Sequence, residues 1–164
     1  MKYLAYFQPN RELSDLILRQ EHLALPSSGL HSTLCVFHMD LENEDILVND
    51  LSRIYFALFE FETLGFDDFD NDSLVLILSR SDELLQLHKN IISVVSDYAG
   101  AGFDAIKKQY FGDDYNPHLT LSRSYPHFDR NSEELIGQKD MISKYTLAKK
   151  VDGNWKDIED FYSS

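Results

Sequence analysis

The apolar positions of this chain recur with two periods, and the change of period predicts the order of its elements. Short runs rich in aromatic and β-branched residues predict strands, and they read KYLAYF, LHSTLCVF, YFALFEFETLGF, SLVLILSR and PHLTLSRSY. Apolar residues at helical spacing predict helices in residues 11–25 and 82–99, with Asn10 and Ser81 as N-caps. Asp152 and Gly153 predict the turn of a final hairpin.

A shorter helix is expected in residues 42–54, which begin with acidic residues, and one or two helical turns are expected in residues 131–138. The resulting order is strand, helix, strand, short helix, two strands, long helix, strand, short helix, two strands. This order predicts an α+β fold with helices on one side of a largely antiparallel sheet. No break in composition divides the chain, so we expect a single domain over residues 1–164.

The composition limits which partners the protein can bind, but it says less about which reaction it could catalyse. The chain has 15 basic and 28 acidic residues, a net charge of −13 and a pI near 4.7. Such a surface repels long nucleic acids and anionic membranes, but a few donors in a cleft can still bind a small anionic substrate or an RNA end. One cysteine, Cys35, indicates a reducing compartment, and no apolar run reaches the ~18 residues of a membrane span. We expect a cytoplasmic protein, and the oligomeric state stays open.

Two predicted strands carry the same pair of polar residues. The sequence LHSTL contains His31 and Thr33, and YNPHLTLSRS contains His118 and Thr120. About 0.15 such His-x-Thr matches are expected by chance in a chain with this composition. Residues i and i+2 of a strand point to the same face, so each imidazole shares a face with a threonine hydroxyl. If the two strands adjoin, both pairs line one cleft.

Other candidates have a plainer interpretation. Cys35 shares the parity of Thr33, but we interpret it as a small buried residue. The remaining histidines lack matched partners, and we interpret them as surface or packing residues; they are His22, His38, His88 and His127. A lone histidine in a strand is more often a packing residue than a catalytic one, and only the repeat of the pair outweighs that interpretation.

The two motifs resemble the signatures of the 2H phosphoesterase superfamily, which includes the 2′-5′ RNA ligase-like proteins. The resemblance extends to the opening strand, to the spacing of His31 and His118 and to the closing hairpin, and so covers nearly the whole chain. It implies two pseudo-symmetric lobes of antiparallel sheet, with outer helices, around a central cleft. It also implies a metal-independent cyclic phosphodiesterase, reversible as a 2′-5′ RNA ligase, that needs no cofactor.

The chemistry suits these residues, because one neutral imidazole acts as a general base and one protonated imidazole acts as a general acid. Thr33 and Thr120 would donate hydrogen bonds to the phosphate oxygens. The resemblance also suggests Arg123 as a substrate contact, although ideal alternation puts it opposite His118 unless a bulge intervenes. Tyr115 either stacks on a base or packs in the core.

The sequence is also consistent with two functions other than a metal-independent phosphodiesterase. A non-catalytic nucleotide-binding module would use the same cleft without turnover. A di-histidine metal hydrolase would recruit Asp113 or Asp114, although the sequence lacks a carboxylate at metal-ligand spacing from the histidines. The natural substrate, the direction of the reaction and the identity of the acid and the base do not follow from the sequence.

Overall fold

The computed structural model describes residues 1–20, 25–26, 29–69, 73–104, 108, 110–123 and 133–164. Its strands are β1 (Lys2–Phe7), β2 (Ser32–His38), β3 (Phe59–Phe69), β4 (Ser73–Leu78), β5 (His118–Ser122), β6 (Lys139–Ile142), β7 (Lys144–Val151) and β8 (Asn154–Tyr162). Its α-helices are α1 (Arg11–Leu18), α2 (Glu44–Leu51) and α3 (Asp82–Ala99). Short 3-10 turns cover Leu41–Asn43, Gly112–Asp114 and Glu133–Leu135.

Local chemistry sets the starts of α1 and α3 and the turn of the last hairpin as the sequence predicts. The Asn10 side chain accepts a hydrogen bond from the Leu13 amide at 2.8 Å and begins α1. Ser81 caps α3 in the same way. Asp152 and Gly153 both have positive φ, 49° and 82°, which is the geometry of a type I′ turn between β7 and β8.

The strands form two four-stranded sheets in which every strand pair is antiparallel. The first sheet has the order β2-β1-β7-β8 and joins both ends of the chain, whereas the second has the order β5-β4-β3-β6. The expected pair of antiparallel sheets is therefore confirmed. The strands that carry the two motifs, β2 and β5, are each the edge strand of a sheet.

One hydrophobic cluster takes side chains from a face of each sheet and from all three α-helices. Its members on the first sheet include Tyr3, Ala5, Phe7, Cys35 and Phe37, and those on the second include Leu74, Leu76, Leu78, Leu119 and Leu121. Because the helices cover these faces, the opposite faces are the ones available for a binding site. A smaller cluster of Leu4, Tyr6, Val36 and Ala148, with Trp155 packed against it, lies on the opposite face of the first sheet.

Three expectations about elements need correction. Strand β6 was not predicted, because KDMI has little apolar content and becomes a strand only by pairing with β3. Strand β3 begins at Phe59, so the expected strand start is too early, and Tyr55 is 82% exposed. Helix α1 ends at Leu18, so the expected end at residue 25 is too late. The helical turn expected in residues 131–138 is the 3-10 turn at Glu133–Leu135.

Parts of other predicted elements, residues 21–24, 124–125 and 131–132, lie outside the described residues, and so do His22 and His127. Within the described part of the chain, no helix combines the length and the apolar character needed to cross a bilayer.

Candidate active site

A β-bulge follows the threonine of the first motif and sets the faces of β2. Tyr6 pairs with Thr33 and the preceding Ala5 pairs with Cys35, so Leu34 is the extra residue. Thr33 therefore shares the face of Tyr6, outside the main core. The bulge turns Cys35 to the opposite face, where it is fully buried and burial raises the pKa of its thiol. The parity predicted for Cys35 is wrong, and its interpretation as a buried residue is confirmed.

The second motif has a bulge at the equivalent place. Val75 pairs with Thr120 and Leu74 pairs with Ser122, which leaves Leu121 as the extra residue of β5. The bulge turns Ser122 toward the core, where it is 3% exposed. By parity, Arg123 then returns to the face of His118 and Thr120. Arg123 can share the face of His118 only if a bulge intervenes, and this bulge is present.

Both motif histidines are held by the same local hydrogen bond. His31 Nδ1 lies 3.0 Å from the carbonyl oxygen of Gly29, and His118 Nδ1 lies 2.8 Å from that of Asn116. A carbonyl only accepts, so Nδ1 carries the proton and donates in each ring. Nε2 is then the nitrogen that can exchange a proton with a substrate.

Aromatic rings orient the two imidazoles further. The Tyr6 ring meets the His31 ring edge to face at 5.5 Å, and Phe69 meets His118 in the same manner at 4.4 Å. The Tyr6 hydroxyl donates to Asp157 at 2.8 Å, and burial together with that carboxylate raises the pKa of Tyr6. Both histidines are half-buried.

The two motif strands meet where the sheet edges adjoin. Strands β2 and β5 contact each other, and the Tyr115 hydroxyl donates to the carbonyl of Thr33 at 3.1 Å. Thr33 and His118 line one pocket, together with Tyr110 and Asn116 among other residues. Neither His31 nor Thr120 is among the described residues that line this pocket. His31 lies two positions before Thr33, just ahead of β2, and Thr120 lies two positions after His118 on β5.

His88 contributes to this junction, although no pattern in the sequence pointed to it. The ring is fully buried on α3, where Nδ1 donates to the Leu34 carbonyl at 2.8 Å and Nε2 accepts from the Gly112 amide at 3.0 Å. Leu34 is the bulged residue of β2, so the carbonyl that His88 binds belongs to the bulge. Burial lowers the pKa of His88 to about 4 and keeps the ring neutral.

The two weaker candidates have different surroundings. Tyr115 is 5% exposed and its ring stacks on His88 at 4.1 Å, so its ring surface is used inside the protein and little of it is open to a base. Arg123 is exposed directly after β5. The Asp113 carboxylate, considered as a metal ligand, binds Lys89 at 2.6 Å. No group of three or more potential metal-ligating side chains occurs among residues with described positions.

The fold belongs to a known class, because solved structures of phosphoesterases match it over nearly their whole length. The crystal structure of apo LigT from E. coli has a TM-score of 0.71 and 16% identity, covering 99% of this chain and 97% of that chain. A protein of Thermus thermophilus has a TM-score of 0.73 and 18% identity, with 99% and 97% covered. Usb1 of Kluyveromyces marxianus is a more distant match, with a TM-score of 0.51 and 10% identity over 95% and 96% of the two chains.

No protein-family model and no curated protein sequence matches this chain. The protein therefore has the fold of the LigT-like 2H phosphoesterases, and the resemblance seen in its two motifs is confirmed at the level of the fold. Crystal structures of E. coli LigT have been determined with 3′-AMP, with ATP and with NADP+.

Proposed function

We propose that this protein is a metal-independent phosphoesterase of the two-histidine type, acting on 2′,3′-cyclic phosphates or 2′-5′ linkages of nucleotides. His31 and His118 are the acid–base pair, and Thr33 and Thr120 bind the phosphate oxygens. The observation that supports this most is the matched geometry of the two motifs. Each has an imidazole with Nδ1 bound to the carbonyl two residues earlier, and each has a bulge directly after its threonine.

The proposed reaction on a 2′,3′-cyclic phosphate is an in-line displacement at phosphorus. One neutral imidazole accepts a proton at Nε2 from water while the water oxygen bonds to phosphorus. The bond from phosphorus to one ribose oxygen breaks, and the other imidazole, protonated at Nε2, donates its proton to that oxygen. Threonine hydroxyls stabilise the charge on the non-bridging oxygens. A ribose hydroxyl in place of water would give ligation by the same steps.

The substrate class is supported by fold and chemistry together. The E. coli protein LigT, which has this fold, has been crystallised with small nucleotides, and this supports a small nucleotide as the ligand proposed here. The net charge of −13 disfavours long RNA, so we assign small nucleotides or RNA ends as substrates. The protein needs no membrane partner and no cofactor in this scheme.

Substitution of either motif histidine tests the proposal. His31→Ala and His118→Ala should each lower kcat/KM by about 10²- to 10⁴-fold, the usual contribution of one acid or base group. Product mass spectrometry on a panel of 2′,3′-cyclic mononucleotides and 2′-5′ linked dinucleotides measures this. The wild-type profile of kcat/KM against pH should be bell-shaped, because one imidazole must be neutral and the other charged.

The matched control is His38→Ala, which removes an exposed histidine from the end of the same strand, β2. It should leave turnover unchanged. Full activity of His31→Ala or of His118→Ala, with the fold intact by circular dichroism, would refute the acid–base pair. Tight binding of the nucleotides by wild-type protein without any product would instead support the non-catalytic binding module.

A further inference from the structure

The hairpin of β7 and β8 carries a basic and aromatic surface that the proposed reaction does not use. Residues 149–156 hold three lysines and the single tryptophan of the chain, although the chain as a whole has a net charge of −13. The Lys150 ammonium lies 5.9 Å from the centre of the Trp155 ring. Lys150 is exposed and Trp155 is partly exposed.

Strand register puts this surface on the same face of the first sheet as the first motif. Tyr6 pairs with Thr33 on one side and with Thr146 on the other, so these residues share a face. Along β7 that face continues through Ala148 to Lys150. Lys150 pairs directly with Trp155 across the hairpin, and Trp155 packs against the small cluster that includes Tyr6.

The distance from His31 to Lys150 and Trp155 determines how long a ligand must be to reach both places. Lys150 lies four residues beyond Thr146, which is about 13 Å along the strand. Trp155 is one further strand away, about 5 Å across the sheet. His31 contacts Tyr6 at the near end of this path. One nucleotide with its phosphate at His31 does not reach so far, whereas a strand of a few nucleotides does.

Both carboxylates on this face are hydrogen-bonded within the protein, and that of Asp160 is also paired with a lysine. Asp157 accepts a hydrogen bond from the Tyr6 hydroxyl, and Asp160 accepts from Thr146 at 2.6 Å and from Lys144 at 2.6 Å. Lys150, by comparison, is exposed and positioned over an aromatic ring. A lysine beside a partly exposed indole is the combination that binds a phosphate and stacks a base in single-stranded nucleic acid sites.

We propose that Trp155 and Lys150 form a second nucleotide subsite, which binds a base and a phosphate of a short RNA strand a few nucleotides from the end held at His31 and His118. The inference rests on the proposed function. It specifies the substrate as the end of an oligonucleotide, in preference to a mononucleotide.

Trp155 is itself the probe, because it is the only tryptophan. The probes to be titrated into wild-type protein are 3′-AMP and adenylate oligomers of three and six nucleotides with a 3′-terminal phosphate. The hexamer should quench Trp155 fluorescence and bind about 10-fold more tightly than 3′-AMP, as stacking of one added base predicts. Trp155→Leu, measured by anisotropy of a labelled hexamer, should remove that gain.

Lys150 has a matched control in the same hairpin. Lys156 pairs with Lys149, next to the Lys150–Trp155 pair, and therefore points to the opposite face. Lys150→Gln should weaken hexamer binding about 3- to 10-fold, reduce the slope of log Kd against log salt by about one, and leave 3′-AMP binding unchanged. Lys156→Gln should change none of these quantities.

Three results would overturn the subsite: equal affinity for 3′-AMP and hexamer, no quenching by the hexamer, or the same loss in Lys156→Gln as in Lys150→Gln. Failure of the proposed function is a separate result. If the hexamer quenches Trp155 but the same hexamer with a 2′,3′-cyclic phosphate is never hydrolysed, the catalytic role is contradicted and the subsite is supported. If the turnover rate does not depend on strand length, the catalytic role is supported and the subsite is contradicted.

Discussion

At the scale of single residues, the histidines of this chain divide by what their ring nitrogens bind. His31 and His118 each direct Nδ1 at the backbone carbonyl two residues earlier. His88 uses both nitrogens within the protein, because it donates to Leu34 and accepts from Gly112. Protonation of His88 would break the bond from Gly112. His88 is therefore a structural residue, whereas the role that we propose for His31 and His118 is a chemical one.

His88→Phe should show what this buried ring contributes to stability. Phenylalanine keeps an aromatic ring against Tyr115 but leaves the Leu34 carbonyl and the Gly112 amide without a partner. The free energy of unfolding at pH 7 should fall by about 2 to 4 kcal/mol. Urea denaturation measures it, and His38→Phe, at an exposed histidine on β2, is the control. A loss below about 0.5 kcal/mol would contradict the assigned bonds.

The pH dependence of stability should also change in His88→Phe. The folded pKa of His88, about 4, lies below the unfolded value of 6.5. The unfolded state therefore binds more protons, and the stability that neutral His88 provides is complete above pH 6.5 and is lost as the pH falls toward 4. Wild-type protein should lose stability more steeply than His88→Phe over this range. Parallel curves would show that His88 titrates normally.

Arg123 should bind the substrate phosphate if its face matches that of His118, as the bulge at Leu121 indicates. Arg123→Gln should raise KM about 10-fold and change kcat less, because the guanidinium binds phosphate in the ground state and the transition state alike. Steady-state kinetics on the best cyclic nucleotide measures the two constants. Arg11→Gln is the control, because its side chain is 94% exposed on α1. Unchanged KM in Arg123→Gln would exclude the contact.

At the scale of elements, the fold repeats one device in each half of the chain. A strand carries His-x-Thr, and the leucine after the threonine is the extra residue of a bulge. The bulge turns the next residue, Cys35 or Ser122, toward the core and returns the one after it to the site face. The position of the motifs on strands could be predicted from period-two spacing. The bulges could not, because Leu34 and Leu121 look like ordinary alternating leucines, and a bulge is visible only in the pairing with β1 and β4.

The segment after α3 approaches the free edge of β2 closely, and Gly102 makes that approach possible. The Gly102 carbonyl accepts from the His38 amide at 2.5 Å, and a Cβ on Gly102 would lie 2.3 Å from the His38 carbonyl oxygen. Gly102→Ala should cost about 1 to 3 kcal/mol of unfolding free energy, since the backbone must shift. Gly65→Ala is the control, because nothing lies within 4 Å of a Cβ there. Equal thermal melting of both variants would refute the close approach.

At the scale of the whole molecule, sequence periodicity and the motif resemblance predicted two antiparallel sheets with the motifs facing a common cleft. The sheets are present, and β2 contacts β5. What joins them could not be predicted, because Tyr115 and His88 bond to backbone carbonyls and such bonds leave no pattern in the sequence. Strand β6 was missed for a related reason, since its pairing with β3 comes from the fold and not from its own residues.

Strands β2 and β5 each end a sheet, and no backbone ladder between the described strands joins the two. The Tyr115 hydroxyl and the His88 ring fasten this seam with bonds that single substitutions can lengthen or remove. Substitution of either residue, both of which line the pocket of Thr33 and His118, could therefore change the spacing of the two halves and admit a bulkier ligand without rebuilding either sheet.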